Sequence, residues 1–275
     1  MGSKINRQLL KRLLPPIVRD WRLRLLDRTT RYYGRPADWQ QAKAMSGSYS
    51  DDNILAMVAK AARAVASGAA RYERDSVLFH DTVYPFAVLA ALLRAALTNE
   101  NRLEVVDFGG SLGSTYHQCR RFLDGVSSIN WCVVEQPEFV ALGRSEFTNM
   151  ELKFVNDFEE LPRVSRGGIA LACSVLQYME NPSLTLTMLD GLPVRHLVID
   201  RTTISEEATD RLCVQHVPKS IYRASYPCWI LSRSRLLSLL SKTWHVVSDF
   251  ACLEGGTRTD DGLEFEYRGL ILEKL

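Results

Sequence analysis

The chain has 275 residues, 46% of them hydrophobic and 24% charged, with a formal net charge of +2. That length fits one large soluble domain or one domain with an added segment, and the near-balanced charge argues against bulk nucleic-acid binding. No apolar stretch approaches the roughly 18 residues of a spanning helix, and no signal peptide is evident. The six cysteines are scattered without a CxxC pair, which points away from a zinc ribbon or redox dithiol and fits a reducing, cytoplasmic setting.

In chain order, residues 4–31 come first, "KINRQLLKRLLPPIVRDWRLRLLDRTTR", rich in Lys and Arg. They read either as an appendage packed on the core or on a partner subunit, or as an interfacial helix touching an anionic membrane from the cytoplasmic side. "YYGRPADWQQAKAMSGSYSDDNIL" reads as a folded, irregular segment. "DDNILAMVAKAARAVASG" predicts a helix with Asp51 or Asp52 near its start and Gly68 at its end. "DTVYPFAVLAALLRAALTN" predicts a strongly apolar helix with Pro85 in the first turn. Residues 1–79 are accordingly expected to form a basic, helical extension.

After Asn101 strands and helices alternate. "LEVVDFGG", "INWCVVEQ", "LKFVND", "GIALACSVLQYM" and "HLVIDRTT" read as strands, with helices between them at "STYHQCRRFLDG", "PEFVALGRSEF" and "PSLTLTMLDGLP". This rhythm predicts an α/β fold with a mostly parallel sheet covered on both faces. "WHVVSDFACLEGG" and "LEFEYRGLILEKL" follow with only a turn between them and predict a C-terminal antiparallel hairpin.

Ligands of such sheets bind beyond the C-terminal strand ends. There "VVDFGGSLGS" places Asp107, Gly109, Gly110 and Gly113. The GGxxG register is neither the dinucleotide fingerprint GxGxxG nor a P-loop, so by itself the loop is either a tight turn or a site of close ligand approach. Glu135 ends the next strand, where a carboxylate suits two ribose hydroxyls, and Asn156 and Asp157 end the third.

Taken together, Asp107 with GGSLG, Glu135, Asn156–Asp157 and "CSVLQY" resemble the successive motifs of class I S-adenosylmethionine-dependent methyltransferases. The resemblance covers about residues 80–275 and implies a three-layer Rossmann-like fold whose last strand is reversed. "YYGRPADWQQAKAMSGSYSDDNIL", "VVDFGGSLGSTY", "VVEQPEFV" and "SVLQYMENP" more closely resemble a methyltransferase family encoded with enzymes of bacterial surface-polysaccharide synthesis. It implies S-adenosylmethionine as the donor, held by Gly109, Gly110 and Gly113 at its methionine part, Asp107 behind the loop or at the amino group, Glu135 at the ribose, and Asn156 and Asp157 at the adenine. Ser174 and the following Val175, Leu176, Gln177 and Tyr178 would line the passage to the acceptor. The implied acceptor is a saccharide or sugar phosphate, and the implied partner a polysaccharide-synthesis enzyme or a second copy of the chain.

A hydroxyl acceptor needs a proton acceptor, for which His216, then His80, are the candidates, with Tyr178 in the passage. "CVQHVPKSIYRASYPCW" interrupts the strand pattern within an insertion spanning about 203–230 and suits a lid or acceptor wall. Arg201, Lys219 and Arg223 would receive an anionic acceptor, and Tyr222 and Tyr226 would stack on a sugar. No metal-binding pattern is present. Two other readings compete: a catalytically inactive assembly subunit, and a nicotinamide-dependent oxidoreductase, which the GGxxG register and terminal hairpin disfavour.

Overall fold

The computed structural model describes residues 29–46, 52–218 and 224–275. Residues 4–28 and the acceptor candidates Lys219, Tyr222 and Arg223 lie outside the described residues. The chain opens with strand β1 (Arg31–Tyr33), a short helix α1 (Trp39–Ala44) and helix α2 (Asp52–Ala66). The segment expected to be irregular therefore holds a strand and a helix, the latter begun by Asp38, whose carboxylate accepts from the Gln41 backbone N–H at 2.8 Å. A hairpin of β2 (Tyr72–Arg74) and β3 (Val77–Phe79) follows, then α3 (Phe86–Leu97), with Pro85 at its N-cap, one position before the expected first turn.

The alternating part comprises β4 (Arg102–Phe108), α4 (Ser114–Arg120), β5 (Ser128–Val134), α5 (Pro137–Glu146), β6 (Leu152–Val155), β7 (Ile169–Cys173), α6 (Pro182–Asp190) and β8 (His196–Ser205). Then come β9 (Arg211–Val217), β10 (Ala224–Ser232), α7 (Arg233–Leu240) and the long hairpin β11 (Trp244–Arg258) and β12 (Glu264–Lys274). The central strands run β6-β5-β4-β7-β8 in parallel, with β12 antiparallel on the far edge of β8 and β11 paired outside it. This is the mostly parallel sheet with a C-terminal antiparallel hairpin that the strand pattern predicts, in the three-layer, Rossmann-like arrangement that the resemblance implies.

Side chains alternate along the strands and so feed two cores. Val105, Trp131, Phe154, Leu171 and Val198 pack with α2, α3, α4 and α5, while Val106, Cys132, Val155, Ala172 and Ile199 pack with α6 and α7. Ile54, Val58, Ala59 and Ala62 of α2 share the first core with Val88, Leu89 and Leu92 of α3, so residues on both sides of position 79 fill one interior. All six cysteines are free. Among the described residues no helix is long and apolar enough to cross a membrane.

The insertion after β8 is not a loop. It forms the antiparallel pair β9–β10, which extends the sheet. β10 takes the edge of β8 at Ile204 and Ser205, beyond where β7 has ended, and β1 completes this annex by pairing with β9. The annex stands at the C-terminal end of β8, beside the strand tips.

Candidate active site

A cavity of 460 Å³ opens at the C-terminal tips of β4, β5, β6 and β7. Gly109 and Gly110 from the turn after β4, Glu135 after β5, Asn156 after β6 and Ser174 after β7 all line it. A Cβ on Gly110 would lie 2.5 Å from the Asp107 Cγ, so only glycine lets the turn settle on that buried carboxyl. Gly109, at φ +70°, could carry a side chain only against Val175. Gly113, at φ 86°, starts α4 and packs towards Leu152 outside the cavity.

Asp107 does not reach the cavity wall. Its Oδ2 accepts from the Trp131 indole N–H at 2.9 Å, and burial pushes its pKa up to about 6. Of the two roles the resemblance leaves for it, its position is behind the loop. Asp157 likewise turns away, accepting from the backbone N–H groups of Glu159 and Glu160 at 2.9 and 3.1 Å. Asn156 remains on the wall, its amide donating to Glu160 Oε1 at 2.8 Å.

Glu135 is half-buried. Its Oε2 accepts from the Gln136 N–H at 2.7 Å and its Oε1 from the Ser111 N–H at 3.3 Å. An ionised carboxylate offers about four acceptor positions, so one remains on each oxygen for two adjacent hydroxyls. Burial, reinforced by the Asp107 charge, pushes its pKa up to about 7 against the pull of the two N–H groups.

The β2–β3 hairpin forms the opposite wall, which the sequence reading did not anticipate. Its two-residue loop, Asp75 and Ser76, has φ of 50° and 65°, the sign that a type I′ turn requires at both positions. Arg74 reaches across to Glu254 of β11 at 2.7 Å. Glu73 is buried, accepts from the Ser114 hydroxyl and from the Ser76 N–H, and has its pKa raised by burial.

Seven described non-glycine residues have positive φ. Asp75, Ser76, Ser111, Ser174 and Arg201 all line this cavity; Glu100 and Asn101 form the turn before β4. Backbone held in such sparsely populated regions concentrates at functional sites.

A second chamber of 330 Å³ adjoins the first and shares Asp75, Ser174, Tyr178, Arg201 and Tyr226 with it. Its other walls are Thr30, Tyr32, Gln215, Val217, Glu254, Thr257 and Tyr267. Tyr32 and Tyr267 hydrogen-bond through their hydroxyls, and the Tyr178 hydroxyl donates to Gln215 Oε1 at 3.0 Å. Burial raises the Tyr178 phenol well above its ordinary pKa, so it serves as a hydrogen-bonding group rather than a base. The rings of Tyr178 and Tyr226 meet edge to face, 5.1 Å apart.

His216 lines neither cavity. Gln215 and Val217 face the second chamber, and strand alternation sends the side chain between them to the other side of β9. His80, just past β3, is exposed and also lines neither. Gln177 is fully buried behind the wall, donating to the Ser174 Oγ at 3.4 Å and the Arg201 carbonyl at 3.1 Å. Arg201 is in both walls, but it faces Asp200 at 3.9 Å. Burial opposes its charge; the carboxylates of Asp200, then Asp75 and Glu254, more than offset this and hold its pKa above the ordinary value. Among the described residues no group of three His, Cys, Asp or Glu side chains could hold a metal ion.

No family model matches the chain, and no curated protein sequence matches it. Solved structures with a related arrangement include an S-adenosylmethionine-dependent methyltransferase from Clostridium acetobutylicum, 8% identical, with TM-score 0.44, covering 70% of this chain and 92% of that one. Magnesium protoporphyrin IX methyltransferase from Synechocystis, with S-adenosylmethionine bound, is 17% identical, with TM-score 0.42 and coverage of 69% and 77%. An amino pentose methyltransferase from Micromonospora echinaspora, also with S-adenosylmethionine bound, is 9% identical, with TM-score 0.45 and coverage of 76% and 95%.

Proposed function

We propose that this chain is an S-adenosylmethionine-dependent methyltransferase acting on a hydroxyl of a small, saccharide-like acceptor. The observation that carries the reading is the 460 Å³ cavity on which the Gly109–Gly110 turn and the two spare acceptor positions of Glu135 converge. The turn admits the methionine part close to the backbone, Glu135 takes the ribose hydroxyls, and Asn156 lies where the adenine would extend. Glu73, buried with only a hydroxyl and one N–H against it, is the group that would meet the donor's ammonium.

The donor supplies an electrophilic methyl group on a sulfonium. The protein's part is alignment: two binding volumes that share five lining residues would bring donor and acceptor together, which removes much of the entropic barrier to their encounter. The tyrosine, threonine and glutamine groups of the second chamber suit a polyhydroxylated acceptor. A role in surface-polysaccharide synthesis, a partner enzyme from that setting, and contact of residues 4–31 with a membrane rest on the sequence resemblance and composition alone.

Calorimetry with S-adenosylmethionine and S-adenosylhomocysteine, with NADH as control, tests the reading. Binding of both sulfur compounds should weaken at least tenfold in Glu135→Ala, or about 1.4 kcal/mol. Folded protein that binds neither compound, or that prefers NADH, would sink it.

A further inference from the structure

We propose that the 330 Å³ chamber is the acceptor site and that Asp75 is the catalytic base, taking the proton of the acceptor hydroxyl at the junction of the two cavities. This rests on the donor reading given above.

The junction consists of Asp75, Ser174, Tyr178, Arg201 and Tyr226, because these five line both volumes. A methyl group passing from one volume to the other crosses between them. Asp75 is the one carboxylate among the five. Tyr178 is engaged as a donor to Gln215, Arg201 is a cation, and the serine hydroxyl is a poor base. The carboxylate of Asp75 accepts no hydrogen bond from the described residues. The histidines expected to do this work, His216 and His80, line neither volume.

The backbone explains how Asp75 gets there. It is the first loop residue of a two-residue hairpin, held at φ 50°, so its side chain projects from the extreme tip of β2–β3. The hairpin is fixed at two points: Glu73 to Ser114 at the start of α4, and Arg74 to Glu254 on β11. Arg201, midway along β8 and just past the end of its pairing with β7, lies near enough to be stabilised by the Asp75 charge. It would neutralise that charge until the proton arrives.

In the step itself, the acceptor oxygen forms a bond to the methyl carbon as the carbon–sulfur bond breaks. The bonding pair stays on sulfur, leaving a neutral thioether. The hydroxyl proton passes to the Asp75 carboxylate and from there to water.

The acceptor class follows from the walls. Tyr32, Tyr267 and Thr257, which carry hydroxyls, and Gln215, which carries an amide, line a volume at the lower end of the range for ligand pockets, about 300–1,000 Å³. That suits one polyhydroxylated ring.

The test uses the full chain and a panel of methyl glycosides of glucose, galactose, mannose, fucose and rhamnose. Ligand-observed NMR in the presence of S-adenosylhomocysteine reads binding, and transfer of labelled methyl from S-adenosylmethionine reads turnover. Wild type should bind at least one glycoside and methylate it. Asp75→Asn should keep thioether and glycoside binding and lose about 100- to 10,000-fold in transfer rate. Asparagine favours the same turn geometry, so this variant is expected to fold. Tyr267→Phe should weaken glycoside binding by about threefold to tenfold while leaving donor affinity unchanged. If S-adenosylhomocysteine binds with Glu135 dependence but no glycoside does, the acceptor assignment fails and the donor reading stands. Transfer by Asp75→Asn at the wild-type rate would overturn the base. Failure of S-adenosylhomocysteine to bind removes the donor reading first and this one with it.

Discussion

If Glu135 holds the donor's ribose as proposed, donor affinity should depend on pH in a defined direction. Burial holds its pKa at about 7, so in the free protein near neutrality the carboxyl carries a proton part of the time. Ribose hydroxyls donate to the ionised form, so binding should pull the pKa down and release protons. S-adenosylhomocysteine should therefore bind more tightly as pH rises from about 5.5 to 8, and calorimetry in buffers of different ionisation enthalpy should report proton release near pH 7. Affinity that is flat over this window would disprove the assignment. The effect on stability runs the other way. A carboxyl whose folded pKa lies above its unfolded value favours folding at low pH, and that contribution is lost as pH rises through about 7. Glu135→Gln should accordingly gain stability relative to wild type above neutrality, read as a larger difference in denaturation midpoint between variant and wild type at pH 8 than at pH 5.

Gly110 gives a second test at the same scale. An added methyl would lie 2.5 Å from the Asp107 carboxyl carbon, whereas one added at Gly125 would meet nothing within 4 Å. Gly110→Ala is expected to cost about 1–3 kcal/mol in chemical denaturation, and Gly125→Ala little. Equal effects would mean that the turn does not depend on close packing over Asp107.

Among the elements, the β2–β3 hairpin is the wall most easily displaced. Only three residues form each strand, and the Arg74–Glu254 pair ties it to β11 with side chains 22% and 25% exposed. A single pair that keeps some solvent contact contributes on the order of 1 kcal/mol to global stability. Arg74→Ala should thus barely move the unfolding midpoint, yet speed amide exchange across residues 72–79 and shorten the donor's residence time. Unchanged exchange there would show that the Glu73–Ser114 contact is sufficient to hold the hairpin. This element was also illegible in the sequence. "YERDSVLF" is too short to show a period, and its turn uses Asp-Ser where Asn-Gly or Asp-Gly would have announced a hairpin. The glycine turn and Glu135 were legible because strand runs such as "LEVVDF" and "NWCVV" end at polar tips, which topology must bring to one edge. His216 illustrates the opposite case. It stands between two residues that line the second chamber, but which face of β9 it occupies depends on register with β1 and β10, and a register depends on distant partners.

At the scale of the whole molecule, β8 joins the two cavities. It pairs with β7 on the side of the 460 Å³ cavity, with β10 of the annex, and with β12, whose neighbour β11 carries Glu254. The N-terminal part is bound into the same body, since α2 fills the core beneath α3 and the hairpin closes the site. A shortened chain of residues 80–275 would expose Val88, Leu89 and Leu92 and lose Glu73 and Asp75 together. It should neither melt cooperatively nor bind S-adenosylhomocysteine, as circular dichroism and calorimetry would show; native-like melting would mean that residues 29–79 are a dispensable cover.

The left-handed residues around the cavity set a limit on how this chain can be improved. Each costs about 1–2 kcal/mol relative to a relaxed backbone, and glycine would relieve that at Ser111 or Ser174, less roughly 0.5–1 kcal/mol for its own greater freedom when unfolded. Selection for heat resistance alone would therefore tend to collect glycines around the ligand. The resulting protein would survive longer at high temperature and hold its substrates less well, because the rigidity that strained residues lend the empty site would have been exchanged for durability.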